Sequence, residues 1–534
     1  MGLGTKRKSP WRHRWCHKLY VTIITVPIAV SICLSVIIVF RSFVAIPDDA
    51  TPIIQLTGTD QFIDESKILE RAERLAGALR IPTVSYEPDV QEKQAILKLH
   101  QFIEKSFPLV HSSKFIKKDV VNDYSLLYTI QGSNSRAGLL PYLLASHLDV
   151  VPADPKTWEV PPFSGNIINK TYIYGRGAID DKSGVMGILE ALENLLEKGE
   201  RPVRSFFIAF GHDEEISGRR GAQELAKVLV NRGIQKLDFV LDEGFPLIEY
   251  PALTPDRKIA MIGVTEKGSL TLELSVTGSP GHSSLPPSES PIGILASAVA
   301  KLEDHQQPIM FGKGPEYATF QYLAPYVPFW YRLLYSNLWL FSWLIAYEMD
   351  QSRAMRPFVR TTTAITKFNS GIKDNVIPPL ATATVNHRIH PAQTVSQVVQ
   401  HDREIISDPR VRIRVKVARE AHPVSTFGPS SPQFQLMSFT IKQVFPDAVV
   451  VPGVFIANTD TRWYLNFTSS LYRFIPTVIT PDDLTRYHGN NERISVRHYH
   501  QAVNFYYRVI KNADLLAHQT SPPSTHTSAH LQEL

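Results

Sequence analysis

A chain of 534 residues, 43% hydrophobic and 20% charged, has the composition of a folded protein with a large core, which excludes wholesale disorder and collagen-like repeats. The formal net charge is +5, yet six bases (Lys6, Arg7, Lys8, Arg12, Arg14 and Lys18) stand in the first 18 residues without an acid, and the remainder holds 50 Lys and Arg against 51 Asp and Glu. The basic balance belongs to the N-terminal end, so the body carries no electrostatic footprint for nucleic acid.

From Val21 to Phe40 the chain runs 20 residues without a charge. At about 1.5 Å rise per residue a helix of that length spans a bilayer core of roughly 30 Å. The bases lie before it and only Arg41 follows at once, so the positive-inside rule places the N-terminus in the cytosol and the body outside or in a lumen. A long basic leader and the lack of a small-x-small site near Phe40 to Ile46 favour a type II signal anchor; a cleaved signal peptide and secretion are the alternative. Asn169-Lys-Thr and Asn466-Phe-Thr are sequons that suit a lumenal body.

Beyond the span, Glu65 to Arg80 and Glu92 to Phe107 repeat apolar residues at helical spacing. The period then changes. Leu139 to Ser146, Arg204 to Phe210 and Leu237 to Leu241 are short apolar runs, with helical patterns at Gly184 to Lys198 and Gly221 to Val230 between them. This alternation predicts an α/β fold with a mostly parallel sheet covered on both faces. Thr271 to Thr277 and Ala381 to Ile389 alternate like strands of a smaller inserted α+β domain, after which α/β character returns to about Asn512. The Ser-, Thr- and His-rich end predicts disorder.

Polar clusters follow the buried runs. His147-x-Asp149 ends the first, Asp213-Glu214-Glu215 the second and Asp242-Glu243-Gly244 the third, while Gly175-Arg-Gly-Ala-Ile-Asp180-Asp181-Lys182 precedes a helix. The carboxyl ends of strands line the crevice of an open α/β sheet, so these clusters converge. Crowded carboxylates repel one another unless cations neutralise them. Both cysteines, Cys16 and Cys33, lie in or before the apolar span, which leaves His, Asp and Glu as ligands; that donor set suits Zn²⁺, with Mn²⁺ or Co²⁺ as substitutes.

These four motifs, with Tyr487-His488-Gly-Asn-Asn-Glu492, resemble the aminoacylase and carboxypeptidase S type of dinuclear zinc metallopeptidase, most nearly its N-fatty-acyl-amino-acid synthase/hydrolase branch. The resemblance covers roughly Glu65 to Lys511. It implies two Zn²⁺ per subunit, one held by His147 and Asp242, the other by Glu215 and His488, with Asp180 bridging and a cis peptide at Asp180–Asp181. It makes Glu214 the general base and Asp149 the partner that sets the His147 tautomer. It also implies that His282 reaches across a homodimer to the partner's oxyanion, and that Asn375 and Arg388 hold the substrate, Arg388 through its carboxylate.

The chain then divides into a cytosolic tail (1–20), a transmembrane anchor (21–40), a juxtamembrane linker (41–64), a zinc-peptidase-like catalytic domain in two parts (65–266 and 392–515), an inserted lid and dimerisation domain (267–391) and a disordered tail (516–534). Within the insertion, Tyr326 to Tyr347 holds nine aromatics and one charge, Arg332. A single crossing there would put His488 and His147 on opposite sides of a membrane. A bilayer-lying amphipathic element, the wall of a pocket for an acyl chain, and ordinary core or dimer packing all fit its composition. The expected activity is reversible hydrolysis and synthesis of N-acyl, above all N-fatty-acyl, amino acids, with fatty acid and amino acid as the small-molecule partners. A membrane-anchored carboxypeptidase for short peptides and a catalytically inactive membrane scaffold or receptor are the alternatives.

Overall fold

The computed structural model describes residues 10–44, 62–88, 90–134 and 139–519. The first helix, α1 (Pro10–Val44), contains an apolar stretch, Ile24–Val44, long enough to cross a membrane. The anchor expected at 21–40 falls inside this helix, which also takes in residues 10–20 of the expected tail; residues 45–61 of the expected linker lie outside the described residues.

Strands β1 (Ile116–Val121), β2 (Ser125–Ile130), β3 (Tyr142–His147), β4 (Phe206–Gly211), β5 (Val240–Glu249) and β6 (Lys258–Glu266) precede the insertion. The insertion contributes β7 (Gly268–Thr277), β8 (Thr362–Ser370), β9 (Leu380–Ile389) and β10 (Arg412–Arg419), and β11 (Ala448–Phe455) and β12 (Leu471–Ile479) return to the first sheet. That sheet has eight strands in the order β11-β6-β12-β5-β3-β4-β2-β1. Its centre, β4-β3-β5-β12, is parallel. Beyond it the sheet is mixed: β6–β11 is again parallel, whereas β1–β2, β2–β4 and β5–β6 are antiparallel. The β1–β2 link is a short turn with Asn122 and Asp123 at φ 48° and 68°, and parallel neighbours need a long crossover that such a turn cannot provide.

The central strands are apolar on both faces because both are covered. Tyr142 and Leu144 of β3 with Phe206, Ile208 and Phe210 of β4 face a core shared with α2 (Ile68–Leu79), α3 (Lys182–Glu197) and the C-terminal helix Val496–Gln519; Leu143, Ala145, Phe207 and Ala209 face α4 (Ala222–Asn231). Successive side chains thus alternate between two cores, as strand geometry requires.

The inserted sheet, ordered β8-β9-β7-β10, is antiparallel throughout. Helices α5 (Pro291–Asp304) and α9 (Val395–Ile406), introduced here with α6 (Glu316–Leu323), α7 (Phe329–Tyr335) and α8 (Leu338–Gln351) between them, close one face of it over Leu270, Leu272, Leu274, Ala383 and Val385. The insertion therefore runs on to Arg419 and the boundary expected at 391 falls inside it: α9 supplies Val398 to this core and β10 pairs with β7.

The aromatic insert is in the lid by chain order but not by packing. Phe320, Leu323, Tyr335, Leu338, Ile345 and Met349 of α6 to α8 bury against Ile259 of β6 and Val449 and Val451 of β11, at the edge of the large sheet. The C-terminal helix continues to Gln519, so residues 516–519 of the expected disordered tail are helical; the rest of that tail lies outside the described residues.

Candidate active site

The crevice opens where β3 and β5 part. Their pairing stops at Leu144 opposite Leu241, and β3 ends on His147 opposite Gly211 of β4. His147 is buried, and its Nδ1 lies 2.9 Å from the Asp149 backbone carbonyl. A carbonyl only accepts, so Nδ1 carries a proton, and a neutral ring held this way would offer Nε2 to a metal. Asp149 meets Nδ1 with its carboxylate as well, at 3.4 Å, and that carboxylate also accepts the Glu214 and Glu215 backbone N–H groups at 3.1 and 3.3 Å and the Ser85 hydroxyl at 2.7 Å. Asp149 locks the turn that presents both glutamates.

Asp180 stands between two imidazoles. Its Oδ1 is 2.9 Å from His147 Nε2 and its Oδ2 is 3.1 Å from His488 Nε2, while His488 Nε2 is 3.3 Å from Glu215 Oε2. The Asp180–Asp181 peptide is cis. The loop bearing Asp180 is cradled by buried Glu492, whose Oε1 accepts the N–H groups of Ile179 (2.7 Å) and Asp180 (3.1 Å) and whose Oε2 accepts from Gly177 N and Arg176 Nη1. His147, Asp180 and Glu215 offer ligand atoms all within 4.8 Å of one another.

A second such group joins His147 and Glu214 to Glu243, which the sequence pattern left in the shadow of its neighbour Asp242. Glu243 Oε1 is 3.7 Å from His147 Nε2. Asp242 instead turns Oδ1 to the Glu243 backbone N–H at 2.9 Å. The reason is a register shift: Asp242 pairs with Arg473 of β12, but Phe474 pairs with Phe245, so Glu243 and Gly244 bulge. A bulge re-aims the side chain it carries. Gly244 permits it, since a Cβ there would lie 2.2 Å from the Arg473 carbonyl carbon.

The expected base, Glu214, is buried and its Oε1 accepts from Arg462 Nη2 at 2.7 Å. Arg462 sits in a turn of 3₁₀ helix, Asp460–Trp463, between β11 and β12; the Thr459-Asp-Thr-Arg462 run between two apolar strands is the signal that could have found it. Burial pushes Glu214, Glu215 and Glu243 upward from the usual carboxylate range and Asp242 up to about 6. Burial would raise Asp180 as well, but hydrogen bonds from His147 and His488 hold it low; the same bonds, from Asp180 and Glu215, push His488 up to about 10. So many carboxylates in one crevice need cations, supplied here by the imidazoles and replaceable by divalent metal ions. Among the described residues, buried Glu215 Oε1 and Asp242 Oδ2 have no hydrogen-bond partner. Two imidazoles, several carboxylates and two orphaned oxygens fit a pair of borderline divalent ions.

The lid residues lie in two places. His282 and Asn375 share an exposed ribbon in which Gly281 and His282 pair with Ile377 and Val376; Ser283 N donates to the Asn375 carbonyl at 3.1 Å and Ser284 N to His282 Nδ1 at 3.1 Å. Arg388, on β9, donates from Nη1 to Asn458 Oδ1 at 2.6 Å, and Asn458 Nδ2 donates to the Lys267 carbonyl at 3.1 Å where the lid begins. The structure thus joins His147, Asp180, Glu214, Glu215 and His488 in one cluster and leaves His282 and Asn375 on the surface of the lid.

Comparison with known proteins identifies the family. Residues 143–512 match the model of peptidase family M20/M25/M40. The N-fatty-acyl-amino acid synthase/hydrolase PM20D1 of Xenopus tropicalis is 47% identical over 459 residues, 84% of this chain and 89% of that protein. Carboxypeptidase S of Saccharomyces cerevisiae is 32% identical over 83% of this chain and 84% of its own. Among solved structures, the M20 family metallo-carboxypeptidase Sso-CP2 of Sulfolobus solfataricus shares the fold with a TM-score of 0.61 at 20% identity, covering 83% of this chain and 99% of that one. The chain belongs to peptidase family M20/M25/M40.

Proposed function

We propose that this protein is an amidohydrolase that reversibly hydrolyses and synthesises N-fatty-acyl amino acids at a two-zinc centre. The observation that carries the substrate class is the 47% identity, over most of the chain, to an N-fatty-acyl-amino acid synthase/hydrolase. The clustered His147, Asp180, Glu215, His488 and Glu243 would hold the metals, Asp180 lying between His147 and His488 and Glu243 taking the place expected of Asp242.

When bound, such a pair polarises the acyl carbonyl and lowers the pKa of a coordinated water toward 7. Glu214, with Oε1 pinned by Arg462, takes the proton of the attacking water through its other oxygen and returns it to the leaving amine. Asp149 and Glu492 fix the backbone on which Glu214, Glu215 and Asp180 ride. Arg388 receives the free carboxylate of the amino acid through a bidentate contact, and Asn375 holds the substrate beside it. The exposure of His282 supports a homodimer in which it donates to the oxyanion in the partner's site. The six bases before the apolar stretch of α1 support a type II anchor with the N-terminus cytosolic and the body lumenal, where the exposed sequon residues Asn169 and Asn466 would be glycosylated.

The similarity to carboxypeptidase S favours one rival, a peptidase acting on short peptides. The full chain in detergent, assayed for free phenylalanine from N-oleoyl-phenylalanine, N-acetyl-phenylalanine and Gly-Phe with and without a chelator, separates the two. Chelator-sensitive preference for the oleoyl substrate is expected; preference for Gly-Phe would make the protein a carboxypeptidase.

A further inference from the structure

We propose that the aromatic outer face of α7 and α8 lies in the headgroup interface of the same bilayer that α1 crosses, so that the catalytic body rests on the membrane along the edge of its large sheet. The proposal rests on α1 as a span and stands apart from the choice of substrate.

The inner faces of these helices are accounted for. Tyr335, Leu338, Ile345 and Met349 bury against the β6 and β11 edge. The outer face is equally apolar and uncovered: Trp339, Trp343 and Tyr347, at i, i+4 and i+8 on α8, are 51%, 68% and 56% exposed, and Trp330 on α7 is 74% exposed beside Phe329 and Tyr331. From Leu333 to Tyr347 there is no charge. A stripe of such rings pointing at water alone would be an aggregation hazard, whereas Trp and Tyr, each an apolar body with one polar handle, concentrate where acyl chains meet headgroups.

The position of α1 sets the depth. Buried Asn337, at the α7–α8 corner, donates from Nδ2 to the Ile38 carbonyl at 3.0 Å; Arg41 Nε donates to the Ser336 carbonyl at 3.4 Å; and the rings of Phe43 and Phe329 lie 6.2 Å apart. These contacts fall in the last two turns of the apolar stretch Ile24–Val44, where Arg41, the first charge after the span, meets the headgroups by snorkelling. A hairpin fastened to that turn is held at the level of the boundary, and its exposed face meets lipid. The following segment leads inward: Phe358 stacks on Phe245 at 6.0 Å, three residues beyond Asp242.

The test uses the full chain in phosphatidylcholine vesicles whose acyl chains carry bromine, a short-range quencher of indole fluorescence. The wild type and the triple variant Trp330→Phe, Trp339→Phe, Trp343→Phe are compared. Loss of most of the bromine-sensitive fluorescence in the variant is expected. An unchanged bromine-sensitive fraction overturns the proposal, whether the face is bare or covered by a second copy of the chain. Trp330→Asp with Trp343→Asp, both at exposed positions, gives an independent reading: hydrolysis of vesicle-borne N-oleoyl-phenylalanine should fall roughly tenfold relative to soluble N-acetyl-phenylalanine, and an equal fall for both would count against the membrane contact. A wild type that shows the quenching but cleaves no N-acyl substrate would overturn the proposed function and leave this surface standing.

Discussion

Glu492 and Asp180 meet through the backbone: Glu492 Oε1 accepts the Asp180 N–H at 3.1 Å while its Oε2 takes the Gly177 N–H and Arg176. The carboxylate uses its acceptor sites on donors only, so a side-chain amide cannot replace it. Glu492→Gln turns an NH₂ toward Gly177 N–H and Arg176, which loosens the loop that aims Asp180. Outer-shell changes of this kind typically cost about 10 to 100-fold in metal affinity. Competition with a metallochromic chelator should show such a loss, and unchanged affinity would show that Asp180 is aimed by other means.

Glu243 and Asp242 make opposite predictions. The bulge in β5 puts the Glu243 carboxylate beside His147 and turns Asp242 to its neighbour's N–H. Glu243→Gln should therefore purify with one metal ion per subunit rather than two, and Asp242→Asn should keep both. Elemental analysis of the two variants decides it; the reverse result would restore Asp242 as the ligand. Gly244→Ala, which forces a Cβ against the Arg473 backbone, should resemble Glu243→Gln in metal content.

Removing the base should leave the metals in place. Glu214→Gln keeps the Arg462 contact through its amide oxygen but cannot take a proton, so turnover should fall by about 10² to 10⁴-fold with two ions still bound. Near-normal turnover would move the base elsewhere, and loss of metal would make Glu214 a ligand.

What could be read from the sequence follows how local the physics is. His147, Asp180, Glu214 and Glu215 were legible because each sits in a polar cluster that directly follows a buried run or precedes a helix, and the sheet carries such clusters to one crevice; His488, which follows a 3₁₀ turn, was reached only through the family resemblance. Glu243 was not, because its aim depends on a register shift against Arg473, more than 200 residues away. Arg462 was missed because its partner, Glu214, lies on another strand end. The lid boundary was misread at Pro391 although Ile413, Val415 and Val417 alternate with Arg412, Arg414 and Lys416, a strand signal that continues the lid sheet. The aromatic insert resisted reading because α8 is apolar on both faces: composition alone does not say which face meets the β11 edge.

Two buried histidines give the protein an acid limit. Burial pushes His422 and His212 down to about 4. His422 Nδ1 accepts from Arg473 Nη2 at 2.9 Å and is ringed by Glu266, Arg462 and Arg419. His212 Nδ1 lies 2.7 Å from the Ser125 hydroxyl, with Asp149, Arg220, His100 and Lys93 around it. Above about pH 6.5 both rings are neutral in folded and unfolded chains alike. As the pH falls toward 4 only the unfolded chain takes up the protons, so stability is lost across that window. The loss reaches up to about 3 kcal/mol for each ring, because every tenfold weakening of proton binding by the fold is worth about 1.4 kcal/mol. Urea unfolding of the full chain in detergent should show that His422→Gln shifts the dependence of the midpoint on pH between 7 and 5 toward greater stability at the acid end relative to wild type, while lowering the midpoint at pH 7, since Arg473 would lose a fitted acceptor. A midpoint in His422→Gln with the wild-type slope across this range would show that His422 charges as readily inside the fold as outside it.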